Sequence, residues 1–252
     1  MLVEPAGPLN LGSVARLCSN FGIDELRLVA PRCDPRDEQA RRMAVHGLEL
    51  LERAPAYPTL TAALADCGRV VATSGRAAGE PLPLQPPAEA LAWLLAAGGG
   101  TATEREAPTS TALVFGREDR GLSNAELLQA GRLLHIPTGA GRPSLNLSHA
   151  VAVVLHELQR LREQGAPAAG DGPDRGPAPA PRGELEAALA DAEELLLEAG
   201  FLLPHTARAR MAKLRGLLQR AQPDRGEVAL LRGMVCQLRW ACRRPWPPGG
   251  GR

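Results

Sequence analysis

The 252-residue sequence predicts an α/β protein: a parallel sheet with helices on both faces, followed by a small helical extension. Three observations carry this reading. Short apolar, β-branched runs alternate with helix-spaced patterns through the first 165 residues, as in chains of βα units. A Pro/Gly/Ala stretch at 165–183, GAPAAGDGPDRGPAPAPRG, then interrupts the alternation and cannot pack a core. Beyond it the strand-like runs stop and three helical patterns follow. The domains therefore read as 1–164 for the α/β body, 165–183 for a flexible linker and 184–252 for a helical extension.

In chain order, the candidate strands are Leu2–Val3, Leu26–Ala30, Arg69–Thr73, Thr111–Phe115 and Arg132–Ile136, each apolar and bounded by turn or polar residues. Helical spacing predicts helices at about 11–21, 36–53, 60–66, 123–130 and 147–164. The segments PLPLQPPAEA (81–90) and AAGGGTATEREAPTS (96–110) read as surface loops. In the extension, 184–199 repeats apolar positions at Leu185, Leu189, Ala192, Leu195 and Leu196, and 206–221 at Met211, Leu214, Leu217 and Leu218. A third helix opens on DRGE, where Asp224 and Glu227 have capping-box spacing, and runs to about Arg243.

Composition excludes several classes. With 44% apolar and 23% charged residues, wholesale disorder is ruled against. No apolar run approaches the roughly 18 residues of a membrane span, and MLVEPAGPLN lacks a basic-then-apolar leader, so a cytoplasmic protein without a membrane partner is expected. Five scattered cysteines without a CxxC pair argue against a disulfide framework and against a zinc site, so no metal is expected. Net charge is only +1, but it is unevenly placed. Residues 1–165 carry 16 basic and 18 acidic side chains, 166–204 carry 2 and 8, and 205–252 carry 11 and 2. The basic block from 205 onward is a candidate polyanion contact.

Chemistry concentrates in three stretches, each at the carboxyl end of a strand, where α/β sheets bind ligands. In EPAGPLNLGSVARLCSNFGI (4–23) a Pro/Gly loop delivers Asn10, and the following helix presents Arg16 nearly two turns on. Locally, Asn10 also reads as the cap of that helix. In ALVFGREDRGLSNAELLQA (112–130), Ser123 and Glu126 form a capping box, whereas Glu118 lies in the loop with no such duty. In IPTGAGRPSLNLSHAVAVVLHEL (136–158), a glycine-rich loop leads through Ser144 and Asn146 into a helix whose open N–H groups suit an anion. Neither a Walker A pattern nor GxGxxG follows a strand here, which argues against nucleotide phosphates.

The trio EPAGPLNLGSVAR, LVFGREDRGLSN and IPTGAGRPSLNLSHAV resembles the three motifs of the SpoU/TrmH (SPOUT) class of RNA ribose 2′-O-methyltransferases, in the same order and with Asn and Arg six apart in the first. VVATSGR (70–76) and MAKLRGLLQRAQPDRGEVALLRGMV (211–235) are similar to the branch that methylates nucleotide 32, cytidine or uridine, in the tRNA anticodon loop. Only MLV precedes the first motif, a shorter opening strand than this resemblance leads one to expect. The resemblance implies a parallel α/β sheet whose C-terminal part is threaded into a trefoil knot, S-adenosyl-L-methionine as cofactor, tRNA as partner and a homodimer. It implies catalytic roles for Arg16, Asn10, Glu118, Ser144 and Asn146. Cofactor contacts are implied at Thr73, Ser74, Gly75, Gly116, Ile136, Pro143, Ser144 and Leu145. The family gives Arg16 the task of orienting the ribose hydroxyl, sometimes of taking its proton. A free guanidinium is essentially always protonated, so gripping the hydroxyl or the neighbouring phosphate demands less of its surroundings than acting as base. The basic helices then read as the tRNA grip, through Arg208, Arg210, Lys213 and Arg215. With a single tyrosine and 3% aromatic residues, base stacking is scarce, so recognition is expected to rest on backbone charge and RNA shape.

Overall fold

The computed structural model describes residues 1–76, 79–96, 110–139, 144–165 and 178–243. Among the described residues, seven short strands form two parallel arrays. Strands β1 (Leu2–Val3), β2 (Leu28–Val29) and β3 (Ala56–Tyr57) lie in that order, and β4 (Cys67–Thr73), β5 (Leu84–Gln85), β6 (Ser110–Val114) and β7 (Arg132–Leu134) lie in the order β5-β7-β4-β6. The arrays are joined where β6 runs on past its last paired residue. The Val3 amide donates to the Phe115 carbonyl at 2.9 Å, and the Phe115 amide donates to the Met1 carbonyl at 3.0 Å. The pairings between the named strands, and the Leu2–Phe115 bridge that joins the arrays, are parallel, so β1, β6, β4 and β7 end side by side at one edge of the body.

Side-chain alternation along the strands divides the core between two faces. Leu2, Leu28, Val71 and Leu134 point into one cluster, with Leu11 and Val14 of α1 (Pro8–Asn20), Ala40 of α2 (Glu38–Ala44), Leu51 of α3 (Leu48–Glu52), Leu91 of α5 (Pro87–Leu95) and Val154 of α7 (Leu147–Glu163). Val3, Val29, Val70, Ala72 and Leu133 point into the other, with Leu60 and Ala63 of α4 (Leu60–Ala63) and Leu127 of α6 (Asn124–Leu127). Helices on both faces of a parallel sheet follow from that alternation.

The α/β body departs from the sequence reading in three places. The helix expected at 36–53 is broken by a 3-10 turn at Val45–Gly47, which enters with Val45 at φ 46°. Gly47 lies so close to α1 that a Cβ there would stand 2.3 Å from the Ala15 carbonyl oxygen, so the chain turns to seat a glycine against α1. The segment 81–90, expected as loop, forms β5 and the start of α5. Pro87 occupies the first helical turn, where a missing N–H costs nothing, and Ala90, Leu91 and Leu94 supply the buried stripe. Strand β3 is two residues long and too short to leave a pattern. Of the second expected loop, residues 97–109 lie outside the described residues.

The extension consists of α8 (Arg182–Glu198), α9 (Pro204–Ala221) and α10 (Arg225–Arg243) around a separate cluster of Leu185, Ala188, Leu189, Leu202, Ala207, Met211 and Val228. Within the expected linker, 166–177 lie outside the described residues, whereas 178–183 are docked. The Gly183 amide donates to the Ala65 carbonyl at 2.7 Å, and the buried Arg182 guanidinium donates to the Gln129 carbonyl. Helix α8 therefore begins at Arg182, two residues earlier than its apolar repeat predicts. Helices α8 and α10 run in the same direction, stitched by Glu184–Arg225, Asp191–Arg232, Glu194–Arg239 and Glu198–Arg243.

Candidate active site

A cleft of about 510 Å³ lies at the carboxyl ends of β4, β6 and β7. Thr73, Ser74 and Gly75 enter it from the end of β4, Phe115 to Leu122 from the loop after β6, and Leu134, Ile136 and Thr138 from the end of β7. Ser144, Leu145, Leu147 and Ala150 close it from the start of α7. Seven of the eight residues expected to contact the cofactor, Thr73, Ser74, Gly75, Gly116, Ile136, Ser144 and Leu145, thus line one space. Pro143 lies outside the described residues.

The loop after β6 holds its shape through two glycines and one arginine. A Cβ on Gly116 would meet the Gly121 carbonyl carbon and the Leu122 amide nitrogen at 2.4 Å, and Gly121 itself turns at φ 68°. Across that turn the half-buried Arg117 grips both oxygens of Glu126, at 2.9 and 3.0 Å, and the Gly121 carbonyl at 3.0 Å, while its other edge meets Glu4. Ser123 and Glu126 form the capping box that their spacing predicts.

Glu118 emerges from this loop at the open end of α1. Its carboxylate accepts from the Gly7 amide at 3.0 Å, the Ala6 amide at 3.2 Å and the Asn10 side-chain amide at 3.2 Å. Burial pushes the carboxyl pKa up, but these donors outweigh it and hold the group below the ordinary glutamate range. Asn10 therefore does not cap its own helix, as local reading suggests. Gly7 occupies the N-cap without a side-chain bond, and the cap arrives from Glu118, 111 residues away.

Asn146 completes the chain. As N-cap of α7, its Oδ1 accepts from the Ser148 amide at 2.9 Å and from the Ser148 hydroxyl at 2.8 Å, and its Nδ2 donates to Asn10 Oδ1 at 3.1 Å. The direction of each bond is fixed at both ends. A backbone N–H can only donate and an ionised carboxylate can only accept, so the two amides between them have one consistent orientation. Three distant segments are thereby joined in the order Ser148, Asn146, Asn10, Glu118.

Arg16 stands apart. It is exposed, roughly 9 Å further along α1 and about a third of a turn around from Asn10, outside the lining of the cleft. It has no hydrogen bond or ion pair among the described residues. Sequence reasoning missed Ser148, whose place in the first turn of α7 looks like ordinary helix-start chemistry. It also missed Arg117 and Glu4, which no spacing rule pairs across 113 residues.

Among the residues expected to grip RNA, Arg208 and Lys213 are exposed and unpaired among the described residues. Arg210 instead stacks on Phe201 at 5.9 Å and donates to its carbonyl at 3.1 Å. Arg215 is bound to both oxygens of Glu186 at 2.9 Å. No helix of the described residues is long and apolar enough to cross a membrane, and no group of His, Cys, Asp and Glu among them could hold a metal ion.

Comparison with known proteins meets this geometry from outside. Residues 1–156 match the SpoU rRNA Methylase family, and residues 183–245 match the C-terminal domain of the tRNA methyltransferase TrmJ. A tRNA (cytidine/uridine-2′-O-)-methyltransferase TrmJ of Cronobacter sakazakii is 35% identical over 240 residues, covering 94% of each chain. The Klebsiella pneumoniae protein of the same name is 36% identical over 243 residues, again covering 94% of each. The crystal structure of TrmJ from Z. mobilis ZM4 superimposes with a TM-score of 0.77 at 32% identity, covering 94% of this chain and 96% of that one. A body and an extension that both match, in one order and over nearly the whole length, place this chain in the SpoU methylase family, among its TrmJ-type members.

Proposed function

We propose that this protein transfers a methyl group from S-adenosyl-L-methionine to a ribose 2′-hydroxyl of tRNA, at cytidine or uridine 32 of the anticodon loop. The observation that carries the reading is the hydrogen-bonded chain Ser148–Asn146–Asn10–Glu118, drawn from three separate segments to the rim of one cleft. The cleft suits the cofactor in size and chemistry. Its volume lies within the usual range for a small-molecule site. Phe115, Leu134, Ile136 and Leu147 offer apolar cover for a base, and Thr73 and Ser74 offer polar contacts. When bound, the cofactor supplies an electrophilic methyl group. The fold carried over with the family includes a trefoil knot in the C-terminal part of the sheet domain.

The residues of this chain then have three tasks. Thr73, Ser74, Gly75, Gly116, Ile136, Ser144 and Leu145 form the cofactor wall. The Glu118–Asn10–Asn146 chain fixes the loops that meet at the reacting hydroxyl, and Ser144 stands on the same rim. Arg16 orients that hydroxyl or the adjacent phosphate from a second subunit, because its place on α1 lies outside the cleft of its own chain. Leu9 on α1 and Val153 on α7 are exposed apolar side chains on two neighbouring helices, a surface suited to that second copy. Unpaired Arg208 and Lys213 supply the backbone contacts of the extension, and only these two of the four expected cations remain free for it.

The test is methyl transfer from labelled S-adenosyl-L-methionine to unmodified bulk tRNA, with the modified ribose mapped and Arg16→Ala run alongside. A 2′-O-methyl mark at nucleotide 32 that vanishes in the variant is the expected result. Transfer to ribosomal RNA but not to tRNA would overturn the target.

A further inference from the structure

Glu4 and Arg117 lie outside the set of residues to which the reading above gives a chemical task, yet they make the densest charged cluster at the cleft. Glu4 follows β1 directly with φ 47°, a left-handed backbone that non-glycine residues rarely adopt and that persists only where surroundings enforce it. Its carboxylate faces three guanidinium groups, those of Arg117, Arg32 and, at 3.8 Å, Arg120. Arg117 is the least exposed of the three, its side chain 9% accessible, and its terminal nitrogens also donate to Glu126 and the Gly121 carbonyl, while its Nε is buried without a hydrogen-bond partner among the described residues.

The sequence positions on either side explain what this cluster can do. Glu4 is followed by Pro5, Ala6 and Gly7, and the Ala6 and Gly7 amides bond Glu118. Arg117 immediately precedes Glu118. The first and second motif loops are therefore tied twice, side chain to side chain through Glu4–Arg117 and backbone to side chain through Ala6, Gly7 and Glu118. The first tie presets the distance across which the second must close. Arg117 is held in direction by its two-pronged grip on Glu126 and meets Glu4 through Nη2 alone, an arrangement of fixed donors that an ammonium in its place would not reproduce.

We infer that Glu4 and Arg117 are positioning residues for the methyl transfer: their ion pair sets Glu118 at the open end of α1 and so keeps Asn10 aligned on Asn146. The inference rests on the methyltransferase reading. It names no contact of its own with substrate or cofactor for Glu4; the pair acts through Glu118.

The experiment uses the full chain with Glu4→Gln, Arg117→Lys and Glu118→Gln singly, Glu4→Gln/Glu118→Gln together, and Arg32→Ala as control. Steady-state methylation of tRNA is measured with amide hydrogen exchange over residues 4–11. Glu4→Gln and Arg117→Lys are expected to lower kcat about 10- to 100-fold, the scale on which small misplacements act, with KM for tRNA within about threefold. Exchange at Ala6 and Gly7 should speed up. Arg32→Ala should stay within about twofold, since the Arg117 contact survives. Added to Glu118→Gln, the Glu4 change should cost less than a further factor of about two, because both act on one element. Wild-type kcat in Glu4→Gln or in Glu118→Gln, unchanged exchange, or losses that multiply in full in the double variant would each overturn the inference. A wild-type protein that methylates no RNA would instead overturn the methyltransferase reading, and faster exchange in Glu4→Gln and Arg117→Lys would then still support the tie between the loops.

Discussion

The cleft and the extension use charge in opposite ways. At the cleft, acidic and basic side chains from segments more than a hundred residues apart meet to fix loops around an open space. In the extension, five of the eleven cations of the basic block that stands out in the sequence are paired with acids within it. Four arginines of α10 face four acids of α8, and Arg215 of α9 is held by Glu186. A run of positive residues beside a run of negative ones is thus as much a folding pattern as a binding surface. The charge left over for a partner is smaller than the +9 imbalance of residues 205–252 suggests.

Breaking the chain at the cleft is expected to have the largest effect. Asn146→Ala removes the donor to Asn10 Oδ1 and the acceptor for the Ser148 amide together, so Asn10 loses the constraint that orients its amide. Single-turnover methylation should slow by about 100-fold or more, the scale of losing a preorganised polar group at a reacting centre. Ser148→Ala removes only the hydroxyl bond and leaves the backbone amide in place, so its loss should be about tenfold or less. An Asn146→Ala rate within threefold of wild type would separate the chain from the chemistry.

The next prediction separates free from spent cations in the extension. Arg208→Ala/Lys213→Ala should weaken tRNA binding several-fold at moderate salt and lower the slope of log K against log salt by about two, one for each lost phosphate contact. Arg215→Ala should leave that slope unchanged and lower the melting temperature instead, because it abandons Glu186 at a partly buried pair. Equal slopes for both variants would mean that pairing within the extension does not decide which cations meet RNA.

How far these differences could be read from sequence depends on range. The alternation of strands and helices, the capping boxes at Ser123 and Asp224, and the apolar stripes of the extension are local patterns, and the structure contains them. Glu118 was legible as an acid without a helical duty, and Asn10 as a polar residue at a strand end. Their meeting was legible only through the family resemblance, since the sheet brings them together and no local pattern across 108 residues of separation encodes it. Arg117 was hidden for the same reason. In sequence it is one charge in a mixed-sign loop, and only the parallel neighbours β1 and β6 put it against Glu4. The pairing of Arg215 and the stacking of Arg210 on Phe201 likewise need α9 to be folded onto its neighbours. The trefoil knot expected from the resemblance runs against general rules of chain topology, so no pattern in the residues would have suggested it.

The smallest effect concerns pH and stability, and it sharpens the contrast between charge that fixes a loop and charge that pairs at a surface. Arg117 first, and Arg32 after it, hold the Glu4 carboxyl at about 2, well below the ordinary value near 4.5. A depressed carboxyl pKa means that the unfolded chain binds the proton more readily than the folded one, so stability rises with pH through that window. The contribution is complete above about 4.5, the unfolded value, and is lost as pH falls toward about 2. Glu4→Gln should therefore lie below wild type in urea midpoint at pH 6, and the gap should narrow as pH falls below 4.5. Because the Glu4 side chain is partly open to solvent, at 21% exposure, salt and water weaken the pair and the gap should be modest. In Glu198→Gln, where Arg243 and Glu198 are both largely exposed, the gap at pH 6 should be smaller still. A Glu4 gap that stayed constant from pH 6 to 3 would show that the substitution acts through loop geometry alone, with no stability drawn from the ion pair.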